Sequence, residues 1–333
     1  MIGRSLTCSF SDPSEIRLDK VPCLLSVVGQ SVQVITATDS YNRMNSMSSN
    51  RHQLQCRISH TLWAALESEQ SRTGDSIEHI VERALANELD LKHHSLFQVS
   101  TTSALVEGVF DGCTRVHDLK CHGDFGVGTF EGLDGEMVML DGVCYQIRAG
   151  GTAHEVVDST PVPFATITRF VADQHFRVDQ VGSFEELLSQ IDRRRPSDNL
   201  FAAFRVEGCF ENVSLRAACK AAPGEKLVDA IEHQSEFSAT QEIGTLVGFW
   251  APLYAKSIGV PGYHFHFINA SGKFGGHVFD LSAKELQVGM HVETDIHLAI
   301  PETQQFMAAN LSADPSSALE RAEKDTHREQ GPG

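Results

Sequence analysis

Residues 262–267 read Gly262-Tyr263-His264-Phe265-His266-Phe267, and after Asn269-Ala270-Ser271-Gly272 the chain returns through Phe274-Gly275-Gly276-His277-Val278. Successive side chains of a strand face opposite ways, so His264 and His266 share one face while Phe265 and Phe267 anchor the other in an apolar layer. The Asn-Ala-Ser-Gly run is turn chemistry, which brings His277 back across from the pair on the returning strand. Three imidazoles aimed together suit a catalytic zinc, which takes three protein ligands and leaves one position open. No cysteine lies close to these histidines in sequence, which disfavours a closed structural zinc knot. The competing reading makes them ordinary members of the 16 histidines, and it requires both the alternation and the hairpin return to be accidental.

Charge and cysteine usage narrow the class of partner. Against 27 Lys and Arg stand 44 Asp and Glu, a formal charge of −17 that repels phosphate backbones and does not favour anionic membranes. An anionic substrate then needs local positive charge at its site. The 8 cysteines are scattered, as suits free thiols in a reducing compartment. No apolar run reaches membrane-spanning length, and Met1-Ile2-Gly3-Arg4-Ser5 opens without an apolar signal core, so the expected location is the cytoplasm. Gly123, Gly126 and Gly128 lack the strand-to-helix context and downstream acid of a dinucleotide fingerprint.

His122-Gly123-Asp124-Phe125-Gly126-Val127-Gly128-Thr129-Phe130, followed by Leu133-Asp134-Gly135-Glu136-Met137, resembles the most recognisable block of the acetolactate decarboxylase family. The run from Gln98 to Leu105, Pro163-Phe164-Ala165, the run from Gly244 to Trp250, and Val260-Pro261-Gly262-Tyr263 leading into the histidines are similar to the same family, over roughly residues 96–325. The resemblance implies zinc-dependent decarboxylation of 2-acetolactate to acetoin and carbon dioxide, on the way to butanediol. It implies His264, His266 and His277 as metal ligands, Glu136, Arg216 and Glu323 as catalytic residues, and Thr129 as a further wall of the substrate site. Loss of carbon dioxide leaves an enediolate, whose charge a chelated dication stabilises, while Arg216 forks onto the substrate carboxylate and a carboxylate delivers the quenching proton. After Arg216 the chain reads Ala217-Ala218-Cys219 where the family has threonine or serine, valine and proline. Glu320 competes with Glu323 for the C-terminal role, and Arg205 is the first substitute for Arg216. His122 is left out of the metal set.

The fold class expected is α+β: mixed sheets in two sub-domains with the histidine hairpin at their junction, preceded by a small ribbon-helix-helix-like module. Met137–Leu140, Asp141-Gly142 and Val143–Ile147 predict a hairpin; Phe204–Val206, Glu207-Gly208 and Cys209–Leu215 predict another. Ser183-Phe184-Glu185-Glu186 caps a helix that presents Leu187, Leu188 and Ile191, and Arg193-Arg194-Arg195-Pro196 reads as its solvated end. Residues 1–50 read as a disordered segment, 51–92 as the ribbon-helix-helix-like module, 96–326 as the catalytic domain and 327–333 as a flexible tail.

In the module, Gln53, Gln55 and Arg57 alternate with Leu54, Cys56 and Ile58 as a strand. A helix runs from about Thr61 to Gly74, and Asp75-Ser76-Ile77-Glu78 opens a second with a capping box. The resemblance to ribbon-helix-helix proteins implies pairing of two chains, hence a homodimer, with Gln53, Gln55 and Arg57 facing the DNA groove. Over residues 51–92 the acids outnumber Arg51, Arg57, Arg72, Arg83 and Lys92, which favours a dimerisation appendage over a DNA reader. A second functional reading, a regulator that senses acetolactate or a related acid and signals to this module, leaves Glu136 and the three histidines without a task, since a sensor needs no proton donor.

Overall fold

The computed structural model describes residues 54–74, 76–88 and 94–323. Two helices, α1 (His60–Thr73) and α2 (Ile77–Glu88), come first. The chain continues through β1 (Ser95–Val99), α3 (Thr102–Val106), β2 (Thr114–Arg115), α4 (Val116–His122), β3 (Phe125–Thr129), β4 (Glu136–Leu140), β5 (Val143–Ile147), β6 (Ala153–Glu155), β7 (Pro161–Val162) and β8 (Phe164–Thr168). The second half comprises β9 (Gln174–Val181), α5 (Phe184–Asp192), β10 (Phe201–Ala217), α6 (Leu227–Ile231), β11 (Ser235–Ala251), β12 (Gly262–Asn269), β13 (Gly275–Glu293) and β14 (Asp295–Ala299), then α7 (Gln304–Ala308) and α8 (Ser316–Glu323).

Local chemistry sets these boundaries. Ser59 caps α1 by accepting from the Leu62 N–H at 3.2 Å, and Gly74 ends it in the left-handed region at φ 80°, which costs glycine little. Ser76 accepts from the His79 N–H at 3.1 Å and so caps α2; Asp75, the expected start of the capping box, lies outside the described residues. Leu54 to Ile58, expected as a strand, have no regular structure in this single chain; a ribbon strand requires a second strand to bond to. Gln53, the whole of the expected N-terminal segment 1–50 and the tail at 327–333 lie outside the described residues. Among the described residues no helix is long and apolar enough to cross a membrane.

Seven strands form one sheet in the order β14-β1-β8-β3-β4-β5-β6, antiparallel except that β14 runs parallel to β1. Five form a second, β10-β11-β12-β13-β9, in which β10 also bonds to β13, so β10 to β13 close a ring; β2 and β7 pair as a small third sheet. The alternation argument for the histidine strand holds, because Phe265 and Phe267 are both buried inside this ring against Phe204, Phe210 and Leu246. Between the sheets, Val127, Val138 and Ile147 of the first pack on Val247, Phe249 and Ile268 of the second. The architecture is α+β, and β12 lies where the two sheets meet.

The Asp141-Gly142 hairpin forms as expected, with both turn residues at positive φ (51° and 76°), the pattern of a two-residue primed turn. The second expected hairpin does not. Glu207-Gly208 lies within β10, which runs unbroken from Phe201 to Ala217, and the irregularity there is a register shift against β13. Gly208 serves close approach rather than reversal: a Cβ there would come within 2.7 Å of the Leu286 side chain. Helix α5 is capped by Ser183 as read and buries Leu187 and Ile191. The arginine run beyond it is not simply solvated, since the Arg195 guanidinium lies 3.6 Å from the Trp250 ring centroid and bonds Asp192 at 2.7 Å.

Gly248 on β11 stands opposite Phe265 on β12, and a Cβ there would come within 2.1 Å of the phenylalanine ring. Replacing Gly248 by Val should therefore destabilise the protein by about 1–3 kcal/mol, the usual cost of overpacking, read as a lowered melting temperature. An unchanged melting temperature would show that the phenylalanine layer yields without cost.

Candidate metal centre and substrate cavity

The antiparallel register places His266 of β12 directly opposite His277 of β13, and His264 lies two residues earlier on the same face. His264 Nε2 comes within 3.1 Å of His266 Nε2 and 3.2 Å of His277 Nδ1. Asn269 builds the turn that permits this, its Oδ1 accepting from the Lys273 and Phe274 N–H groups at 3.1 and 3.2 Å. His266 Nδ1 lies 2.8 Å from the Met137 carbonyl oxygen. A carbonyl only accepts, so Nδ1 carries that ring's proton and Nε2 presents its lone pair to the other two rings.

Arg216 on β10 is paired with His277 in the sheet, is buried, and donates through Nη2 to His277 Nε2 at 2.9 Å. With that nitrogen accepting, the His277 proton lies on Nδ1 and points at His264 Nε2. That nitrogen would have to hold a lone pair for His277 and a proton for His266, so neutral rings leave one of the two contacts unsatisfied. A cation among the three nitrogens satisfies all of them, and the donor set of three imidazoles suits zinc. Burial pushes all three rings well below the ordinary imidazole range, His266 to about 4, and the Arg216 charge adds to the effect. They are neutral at neutral pH, the form that binds a metal.

Glu136, first residue of β4, accepts from the Ala218 N–H at 2.9 Å through Oε1, and its Oε2 lies 3.4 Å from His266 Nε2. Burial raises its carboxyl to about 7, against the opposing pull of the Ala218 N–H and of Arg216. The Ala217-Ala218-Cys219 departure is thus tolerated where it matters, because a backbone N–H makes the contact whatever the side chain.

These groups line one cavity of about 80 Å³, small enough to select a compact metabolite over a nucleotide. Thr129, Glu136, Arg216, His264 and His277 form its polar wall; Leu105, Phe164, Leu227, Val260 and Leu319 contribute to the apolar one. Thr129 does line the cavity, and its hydroxyl donates to the Gly135 carbonyl at 2.7 Å, which leaves its oxygen free to accept. Glu320 is exposed on α8, whereas Leu319 and Ala322 of that helix reach the cavity. Glu323 ends the same helix, and its side chain is outside the described residues. Arg205 is committed to Asp141 and Glu207 at 2.7 and 2.8 Å, away from this cavity, and is no substitute for Arg216. His122 stacks on Phe97, ring centroids 3.5 Å apart.

Sequence reasoning missed two partners of the site, the Met137 carbonyl and the Ala218 N–H, because backbone groups have no side-chain signature. The short helical stretch from Ser316, expected to fold back over the pocket, does line the cavity through Leu319 and Ala322 of α8.

The cavity lies beside three imidazoles that could hold a metal ion and is lined by one buried guanidinium. The chain belongs to the alpha-acetolactate decarboxylase family, which it matches over residues 96–313. It is 42% identical over 251 residues to alpha-acetolactate decarboxylase of Methanosarcina mazei, covering 75% of this chain and 86% of that protein. It is 37% identical over 237 residues to that of Bacillus licheniformis, covering 71% of this chain and 94% of that protein. The crystal structure of alpha-acetolactate decarboxylase from Bacillus subtilis strain 168 superposes with a TM-score of 0.67 at 36% identity, covering 69% of this chain and all of that one.

The neutral rings set a pH dependence. The unfolded chain takes up protons at the three histidines near pH 6.5, the folded chain only well below, near pH 4 for His266. Between these values the unfolded state binds more protons, so this contribution is fully present above about pH 6.5 and lost as the pH falls toward about 4. Thermal melts of the metal-free protein should show a falling melting temperature across that window, and a less steep fall in the His264→Asn, His266→Asn variant. Equal slopes for variant and parent would mean that these rings do not set the acid sensitivity.

Proposed function

We propose that the protein decarboxylates 2-acetolactate to acetoin and carbon dioxide, with a zinc ion held by His264, His266 and His277. The observation that carries the reading is the convergence of three imidazole nitrogens beside a cavity that Glu136, Arg216, His264 and His277 line. When bound, the cation supplies a Lewis acid for the hydroxyl and ketone oxygens of a 2-hydroxy-3-oxo acid, where charge accumulates as carbon dioxide leaves.

The protein's own groups supply the rest. If a cation were held by the three rings, His277 would carry its proton on Nε2 and would no longer accept from Arg216. The guanidinium would then be free to hold the substrate carboxylate and orient the breaking carbon–carbon bond. Glu136, raised to about 7, holds a proton in a large fraction of molecules at neutral pH and can deliver it to the enediolate carbon. The apolar wall from Leu105, Phe164 and Leu319 keeps water from competing for that carbon. Glu323, four residues beyond Leu319 on α8, is proposed as the carboxylate that fixes the face of protonation.

Incubation of the purified chain with 2-acetolactate should yield acetoin, chelator should abolish it, and zinc should restore it. Arg216→Ala and Glu136→Gln should each lower kcat/KM at least about tenfold, or about 1.4 kcal/mol of transition-state stabilisation, with zinc content retained. Acetoin formation that survives complete metal removal would sink the metal-dependent reading.

Glu323→Gln should slow turnover or erode the enantiomeric excess of the acetoin, and Glu320→Gln should do neither. The reverse pattern would transfer the role to Glu320, and two silent variants would remove α8 from proton delivery.

A further inference from the structure

A second cluster of metal-ligating side chains lies at the other end of β13. His291 is about 14 residues beyond His277, on the order of 40 Å of strand length at the usual rise. It is fully buried where β13 ends, and its ring stacks on His94, centroids 4.7 Å apart and planes 16° apart. His94 immediately precedes β1, and Asp173 immediately precedes β9. One carboxylate therefore meets two imidazoles from three separate segments: His94 Nε2 lies 3.8 Å from Asp173 Oδ1, and His291 Nδ1 lies 3.5 Å from Asp173 Oδ2.

Neighbouring groups orient both rings. His94 Nδ1 is 2.6 Å from the Val292 carbonyl oxygen, which only accepts, so the proton of a neutral ring is on Nδ1 and the Nε2 lone pair faces Asp173. The Glu293 carboxylate, fully buried, stands 3.6 Å from His291 Nε2, and the Val171 carbonyl lies beside the same ring. A carboxylate on Nε2 holds the proton there and leaves the Nδ1 lone pair on the Asp173 side, the arrangement by which outer carboxylates orient metal-ligating histidines. Asp173 is held in turn by the Val292 N–H, donated to Oδ2 at 2.7 Å.

We propose that His94, Asp173 and His291 form a second metal site, for a divalent ion of the zinc class, with Glu293 as the outer carboxylate that orients His291. Two nitrogens and one carboxylate oxygen are a borderline donor set that suits zinc, cobalt or nickel better than calcium or magnesium. Two carboxylates gathered around two imidazoles give a dication its countercharge within one cluster. The His94 and Asp173 side chains keep 17% and 14% of their exposure, which gives the ion and a completing water a way in. None of its three residues lines the substrate cavity. The site ties the entry to β1, in the seven-stranded sheet, to the ends of β9 and β13 in the other, and so acts as a clasp between the sheets.

The test is a metal count on the full chain, loaded with zinc and dialysed. The parent should hold about two equivalents, His94→Ala or Asp173→Asn about one, and the His264→Ala, His266→Ala variant also about one. The first two should keep acetoin formation, which separates this site from the proposed catalytic one. Cobalt loaded into the double histidine variant should give visible absorption of a nitrogen–oxygen coordinated ion, lost when His94→Ala is added. His94 is half-buried at a segment end, so its removal is the variant least prone to misfolding. A parent with about one equivalent, or a His94→Ala protein that keeps two, would overturn the proposal.

Discussion

The bond between His266 Nδ1 and the Met137 carbonyl joins the two sheets at the site and sets the chemistry of everything around it. It comes from β12 in one sheet and β4 in the other, so the orientation of one imidazole is fixed only when the sheets are packed. The same packing brings Glu136, next to Met137, within 3.4 Å of the ring, and the β10–β13 pairing brings Arg216 onto His277. Three imidazoles, a guanidinium and a carboxylate converge because two registers are correct at once. A slip of one residue in β12 would turn Phe265 and Phe267 outward and bury His264 and His266 in the ring.

Burial is the second constraint. The chain carries a formal −17, yet the cavity gathers neutral imidazoles, one guanidinium and a carboxyl raised to about 7. The site is thus locally far less negative than the chain around it, and it admits an anion that the overall field repels. The strand framework makes that affordable by satisfying buried groups through backbone atoms, as Ala218 does for Glu136 and Gly135 for Thr129.

The site was legible in the sequence wherever the signal was periodic. Alternation of His and Phe, the Asn269 turn and the His277 return together specified the hairpin, and the family-like block pointed to Glu136 at the start of β4. Glu207-Gly208 misled because a glycine next to a polar residue reads as a turn, whereas here glycine admits Leu286 against the backbone of a continuous strand. Arg195 misled in the same way: three arginines before a proline read as a solvated end, and nothing local announces a Trp250 ring from β11 beneath one of them. The His94, Asp173 and His291 cluster was invisible, since its members lie in three segments with no shared period. The alternation at residues 54–58 reads as a strand, yet these residues have no regular structure in the single chain.

The central claim is that the hairpin imidazoles bind the catalytic metal, and anomalous diffraction at the zinc edge from crystals of active enzyme tests it most directly. A peak should appear within about 2.0–2.1 Å of His264 Nε2, His266 Nε2 and His277 Nδ1, the ordinary zinc–nitrogen distance. Crystals of active enzyme with no anomalous peak among those three nitrogens would contradict the account.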